Sequence, residues 1–561
     1  MRVLLAVLLL VAAGCSQGVP RADVASPGIE PDGAAETRRE DGDGDASPRC
    51  APPVETDPGA WYRQAVGYEI FVRSFKDSDG DGIGDFTGLI EALDHLNDGR
   101  PGEGDDLEVD LVWLMPIHPS PSDHGYDVTD YRGVHPDYGG PAAFDAFLQE
   151  ARRRGVHVII DLVVNHTSVQ HPWFLASASG TDRGDWYVWR PDAPAWTRPW
   201  GGGPVWHPRG QRFYYGLFWE GMPDLNVLTP GVTGELHETA RYWLDRGVDG
   251  FRLDAVRYLV ESGPGPGQQD TPETLDWWVA FAAAMRLAKP DVLLVGEAWT
   301  SNALASLYHA GGEGLSMTFD FDLSAAILGA VKASDATDVE GVLCRFGGQF
   351  PPAAADGVFL TNHDMVRVAS DLGEEDAATR LAAALLFAMP GTPWIYYGEE
   401  IGMRNGAALD DRAKRKPMQW APGPGGGFTS GTPWQPLHPD TDAINVEVQR
   451  RDPDSLLSLY RALIRARRAH PALQRGDAAP VPATSPTSGE VWALRRVAGA
   501  EAVVAVFNLG ESSALAVTVD PSQPVTTAVD LISGEAVPVT EGRLEAGDMG
   551  PRAFRYLRIL P

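Results

Sequence analysis

Eight short apolar runs, separated by longer amphipathic stretches, recur between residues 66 and 397. They cover 66–75, 109–117, 156–164, 248–253, 292–296, 317–321, 358–361 and 394–397. Near-continuous apolar runs of this length are the pattern of strands buried on both faces, which is the situation of parallel strands. Stretches with helical spacing at 141–154, 234–246, 271–288 and 377–388 lie between them and supply the crossovers such strands require. Eight strands alternating with helices predict the α/β class and a (β/α)8 TIM barrel.

One interval breaks the rhythm. The third run ends near 164 and the helix before the fourth starts only near 234, and a structureless loop of that length is improbable inside a compact domain. The interval is rich in aromatics, including DWYVW at 185–189 and RFYYGLFW at 212–219, so a small inserted domain is expected after strand 3. Past residue 475 the runs shorten and alternate, which predicts a C-terminal antiparallel β domain. The expected boundaries are a barrel at 61–166 and 234–475, an insertion at 167–233 and a β domain at 476–561. Residues 16–60 are rich in Gly, Pro, Asp and Ala and read as a linker unable to bury a core.

The chain opens on MRVLLAVLLLVAAGC, in which Arg2 precedes an apolar run and small residues precede Cys15. That is a secretory signal, too short for a permanent membrane helix. Ala12 to Cys15 resembles a bacterial lipobox, with Ala12 where Leu is usual. It implies a signal peptide at 1–15, a lipid anchor on Cys15 and an extracytoplasmic position at an envelope membrane. Cys50 and Cys344 are left open, free or paired. A formal net charge of −31 excludes a nucleic-acid partner, and 43% hydrophobic against 22% charged residues excludes a disordered chain. A monomer is expected.

Barrel enzymes carry their chemistry at the C-terminal ends of the strands. Those ends read Asp161 with Asn165-His166, Arg252 with Asp254, Glu297, and His363-Asp364. Glycoside cleavage requires two carboxyl groups tuned in opposite directions. Arg252 and Asp254 sit two apart on one strand face, so the guanidinium should favour charge on Asp254, as a nucleophile requires. Glu297 follows an apolar strand and precedes Ala298-Trp299, a setting that favours the protonated acid. Asp364 is a third acid, and His166 and His363 are candidate donors to sugar hydroxyls.

GFRLDAVRY (250–258), LLVGEAW (293–299), FLTNHD (359–364) and DLVVNH (161–166) resemble the four conserved regions of the α-amylase family of glycoside hydrolases. HGYDVTDY (124–131), MPDLN (222–226) and RKPMQW (415–420) resemble further family motifs. MPDLN is similar to the subgroup between oligo-1,6-glucosidases and neopullulanases. The resemblance implies an inserted domain B and retaining cleavage of α-glucosidic bonds in starch, glycogen or maltooligosaccharides. Asp254 would be the nucleophile, Glu297 the acid/base and Asp364 the transition-state stabiliser. Tyr126, His166, Arg252, His363 and Arg367 would be substrate-binding residues. Relatives that are non-catalytic partner proteins have lost these acids, whereas all three stand here.

Asp77, Asp79, Asp81, the Ile83 carbonyl and Asp85 place oxygens at alternate positions around Gly82, as in the first nine positions of an EF-hand loop. The twelfth position is Gly88, so a helix–loop–helix hand is excluded. The segment resembles the calcium loop after the first strand of oligo-1,6-glucosidase-like relatives and predicts one structural Ca²⁺. A second calcium, held in many relatives by an Asn matching Asn165 and a His after the nucleophile, is not expected, because that stretch reads Val256-Arg257-Tyr258. HGYD favours endo action on long chains. Asp123 and Arg415 match an acid–arginine pair that closes the cleft in exo-acting relatives. The endo-acting α-amylase is therefore expected, with an α-glucosidase, an oligo-1,6-glucosidase or a trehalose-forming transglycosylase as the alternative.

Overall fold

The computed structural model describes residues 60–351 and 354–560. The signal segment, Cys15, Cys50 and the linker through residue 59 lie outside the described residues. Eight parallel strands close into a barrel: β1 (Gly67–Ile70), β2 (Leu111–Leu114), β3 (His157–Leu162), β4 (Gly250–Leu253), β5 (Leu293–Gly296), β6 (Met317–Phe319), β7 (Ala355–Phe359) and β8 (Thr392–Tyr396). Each strand pairs with its sequence neighbours, and β8 closes on β1. Six of the eight apolar runs contain a barrel strand whole, and the runs at 358–361 and 394–397 overlap the ends of β7 and β8, which begin three and two residues earlier.

Two further boundaries differ for identifiable reasons. The first run stops being a strand at Ile70 and turns into a one-turn helix, Val72–Phe75, which is buried throughout. Buried strand and buried helix look alike in a short apolar run. The helix expected from residue 234 begins at Pro230, because proline suits the first helical turn, where no N–H partner is needed.

Alternation along the strands divides the core in two. Leu111, Trp113, Ile159, Leu293, Val295, Met317, Phe319 and Trp394 fill the barrel interior. Their neighbours Val112, Leu114, Ile160 and Leu294 face the surrounding helices in the larger cluster. Gly67 faces inward on β1, where a Cβ would stand 2.3 Å from the Trp394 ring. Only glycine leaves room for that indole.

The insertion folds as a three-stranded antiparallel sheet, Trp189–Arg190, Arg212–Tyr215 and Trp206–Arg209, after a helix at Pro172–Ser179. Val205, Trp206, Tyr215 and Leu217 pack with Ala255 and Tyr258, which come from the loop after β4. The insertion thus roofs one side of the barrel mouth. The C-terminal domain is a six-stranded sheet against a four-stranded one, starting with Asp477–Pro480. It is fixed to the barrel by Arg496 Nη1 donating to Ala388 O at 2.7 Å and Trp492 Nε1 donating to Glu340 Oε1 at 2.7 Å. Cys344 is disulfide-bonded. No helix among the described residues is long and apolar enough to cross a membrane.

Candidate active site

A cleft of about 1190 Å³ opens at the C-terminal ends of the strands, and Asp254, Glu297 and Asp364 all line it. Asp254 directly follows β4, Glu297 directly follows β5 and Asp364 stands in the loop after β7. Strand register sets their spacing, since β4 and β5 are adjacent in the barrel with Leu253 opposite Gly296.

One guanidinium organises the floor. Arg252 is 1% exposed on β4 and points inward. Its Nη1 lies 2.7 Å from Asp254 Oδ1 and 2.8 Å from Asp161 Oδ1, and its Nη2 lies 2.9 Å from Glu297 Oε2. A planar fork is suited to holding several carboxylates at fixed angles. Asp161 is itself fixed by Trp113 Nε1 at 3.2 Å and Tyr126 OH at 3.0 Å. Asp161 and Arg252 thus sit beneath the cleft rather than in it.

The acids are tuned differently. Burial pushes Glu297 up to about 7, helped by the negative charges of Asp254 and Asp364 and opposed by Arg252. Burial also raises Asp254, and Arg252 opposes it without fully cancelling it. The guanidinium favours charge on Asp254, as expected from their spacing, but complete burial outweighs it. For Asp364 burial is overcome by His363 at 3.0 Å and Arg415 Nη2 at 2.6 Å, which hold its carboxyl well below the usual range. His166 is pushed down to about 4 by burial, so it is a neutral imidazole. Its buried Nε2 has no hydrogen-bond partner among the described residues, and the ring lines the cleft.

Tyr126 and His166 line the cleft, whereas His363 is fully buried behind Asp364. Arg367 lies outside the lining. Its Nε and Nη1 donate to the carbonyls of Lys414 and Tyr397, both at 2.7 Å, and it stacks over Tyr396 and Tyr397. The expected Asp123–Arg415 pair does not form. Arg415 is drawn to Asp364, and Asp123 is gripped by Arg412 instead, Nε to Oδ2 at 2.9 Å and Nη2 to Oδ1 at 3.2 Å. Both groups of the Asp123–Arg412 pair line the cleft, so the pair joins the loop after β2 to the loop after β8. Sequence reasoning placed an arginine opposite Asp123 but chose one three residues too late, since two arginines of one short loop cannot be told apart without its path.

Glu69 was missed entirely. It is 2% exposed on β1, and its Oε1 lies 2.5 Å from His363 Nδ1. The available signal was a single acid in an apolar run, two positions after an inward glycine. The aromatic wall of the cleft, Trp200, Phe218 and Tyr258, was legible only as a concentration of aromatics.

In the acidic loop, one ligand oxygen each from Asp77, Asp79 and Asp85 lies within 4.8 Å of the others. Asp81 is not in that group; its Oδ1 accepts from Ile83 N at 2.7 Å. Asp77 Oδ1 accepts from Asp79 N and Gly80 N and its Oδ2 from Gly82 N, so the backbone wraps around one carboxylate. Gly82 has a φ of 93°, and a Cβ there would meet Thr432 O at 1.9 Å. Asp85 also caps the helix Phe86–Leu96 by accepting from Gly88 N, which replaces the EF-hand's twelfth ligand with a helix start. A hard-cation donor set of carboxylate oxygens suits Ca²⁺.

Comparison with known proteins shows the family and the fold. The family model described as alpha amylase, catalytic domain, matches residues 69–476. The chain is 36% identical over 421 residues to Alpha-amylase 3 of Dictyoglomus thermophilum, covering 74% of this chain and 79% of that protein. It is 30% identical over 524 residues to an oligo-1,6-glucosidase of Parageobacillus thermoglucosidasius, covering 81% of this chain and 91% of that one. The crystal structure of an α-amylase from H. orenii matches with a TM-score of 0.78 and 35% identity, covering 89% of this chain and 99% of that chain.

Proposed function

Since the chain belongs to the α-amylase family of glycoside hydrolases, we propose that it is an endo-acting α-amylase that cleaves α-1,4-glucosidic bonds with retention. The observation that carries the mechanism is the single guanidinium of Arg252 holding Asp254 and Glu297 on adjacent nitrogens. Carboxyls held on one fork favour the short spacing of a retaining pair, roughly 5–5.5 Å, over the roughly 6.5–9.5 Å that an inverting pair leaves for water. Glu297, pushed up to about 7, carries the shared proton, and Asp254 carries the charge.

In this reading an Asp254 oxygen bonds to the anomeric carbon as the glycosidic bond breaks, and Glu297 gives its proton to the departing oxygen. Glu297, now a carboxylate, then takes a proton from water, whose oxygen bonds to the anomeric carbon and frees Asp254. Asp364 and His166 hold hydroxyls of the reacting sugar, strengthening as its ring flattens. Trp200, Phe218 and Tyr258 offer apolar faces for neighbouring sugars.

Asp77, Asp79 and Asp85 would hold one Ca²⁺, which would stabilise the loop and stand apart from the chemistry. The sequence start supports lipidation of Cys15 and an extracytoplasmic, envelope-anchored enzyme.

Endo action is supported by the α-amylase relatives and by HGYD at 124–127. The Asp123–Arg412 pair favours the second reading, an exo-acting glucosidase, because it ties two rim loops together at the cleft. A time course on soluble starch separates them. Mixed maltooligosaccharides in the first minutes support endo action, and glucose alone overturns it. Asp254→Asn should abolish turnover in both cases, and substantial residual activity would remove Asp254 from the nucleophile role.

A further inference from the structure

We propose that Glu69 is a positioning residue for the reaction, its carboxylate holding His363 doubly protonated so that Nε2–H stays fixed beneath the acid Asp364. The proposal rests on the reading of Asp364 as the acid that grips the reacting sugar. It follows from how the barrel interior is filled. Glu69 sits on β1, opposite Trp113 of β2, with only 2% of its surface exposed. An acid in that position must be compensated, because an unpaired buried charge is strongly destabilising. The compensating group is His363, whose Nδ1 lies 2.5 Å from Glu69 Oε1.

The other ring nitrogen is equally committed. His363 Nε2 is 3.0 Å from Asp364 Oδ2 and 2.7 Å from Tyr126 OH. Tyr126 OH in turn lies 3.0 Å from Asp161 Oδ2, so its proton goes to that carboxylate and its oxygen accepts from His363. A ring with a carboxylate at each nitrogen must donate from both, which requires the imidazolium. Burial alone would lower the pKa of this histidine, but the two carboxylates lift it to about 10. The remaining charged and titratable groups around the ring are Asp161 on β3, Arg252 on β4, Tyr396 on β8 and Arg415, whose Nε donates to His363 O at 3.1 Å. The two arginines oppose the imidazolium, so its charge depends on both carboxylates together.

The consequence for function is electrostatic. The cation 3.0 Å from Asp364 keeps that acid ionised at the edge of the cleft, where it would grip a sugar hydroxyl. Without the charge on Glu69 the ring would keep a hydrogen bond but hold its second proton less tightly, weakening the grip of Asp364 in the transition state.

Glu69→Gln tests this with an isosteric change that retains an acceptor for Nδ1–H. In the parent enzyme the alkaline limb of log kcat/KM against pH should fall with a slope of about −1, from Glu297 alone. In Glu69→Gln a second proton should be lost, steepening the limb toward about −2, with kcat falling further than KM rises. Glu69→Asp, which keeps the charge, should restore the single slope. A Glu69→Gln profile with the parent midpoint and slope would overturn the proposal. A measurement on the parent protein stands independently of any variant. The ¹⁵N shifts of His363 should show both ring nitrogens protonated through about pH 8, and a neutral ring there would equally overturn it. Failure of the catalytic reading itself shows separately, as activity in Asp254→Asn.

Discussion

Replacing Arg252 by methionine is the sharpest perturbation of the barrel floor. The side chain is 1% exposed, and its guanidinium is within 3 Å of three carboxylates, Asp161, Asp254 and Glu297. Methionine fills comparable volume, so little of the effect should come from a cavity. What is lost is the cation among three buried acids, and removing one partner of a buried ion pair typically costs about 3–5 kcal/mol. The loss must depend on pH. Without Arg252 the acids have folded pKa values raised above their unfolded ones, so their stability is intact below roughly pH 4 and lost as pH climbs through the raised values. Thermal and guanidinium unfolding at about pH 4.5 and about pH 7.5 should therefore show a much smaller penalty at the lower pH. Arg252→Lys keeps a charge without the fork and should recover only part of it. A penalty below about 1 kcal/mol, or one equal at the two pH values, would refute the idea that Arg252 is the cation stabilising this cluster of buried acids.

Calcium at Asp77, Asp79 and Asp85 should raise the melting temperature, with chelator lowering it and Asp79→Ala abolishing the dependence. Saturation at about 100 times the dissociation constant stabilises by about 2.7 kcal/mol. An Asp79→Ala protein with the parent's calcium response would remove the site. For the anchor, Cys15→Ala should shift the protein from the membrane to the soluble fraction. Identical fractionation of parent and variant would leave an ordinary cleaved signal.

The barrel was legible because parallel strands buried on both faces leave apolar runs, and each of the eight runs overlaps a barrel strand. The three acids were legible because the strand ends that carry them are fixed by topology. Less visible was anything set by the path of a loop. Arg412 and Arg415 lie three residues apart, and only the folded loop shows that the first grips Asp123 and the second Asp364. The net effect of burial on Asp254 was likewise hidden, since a sequence shows a neighbouring arginine but not how completely both are removed from water. Glu69 was hidden for the opposite reason. A lone acid in an apolar strand has no local pattern, and its partner His363 comes from the loop after β7, far away in sequence.

The central claim is that Asp254 and Glu297 act as a retaining pair on α-glucans. Proton NMR of the first anomer released from a maltooligosaccharide, recorded before mutarotation, tests it most directly. The account predicts that the α-anomer appears first and the β-anomer grows in later by mutarotation. Initial release of the β-anomer would contradict it.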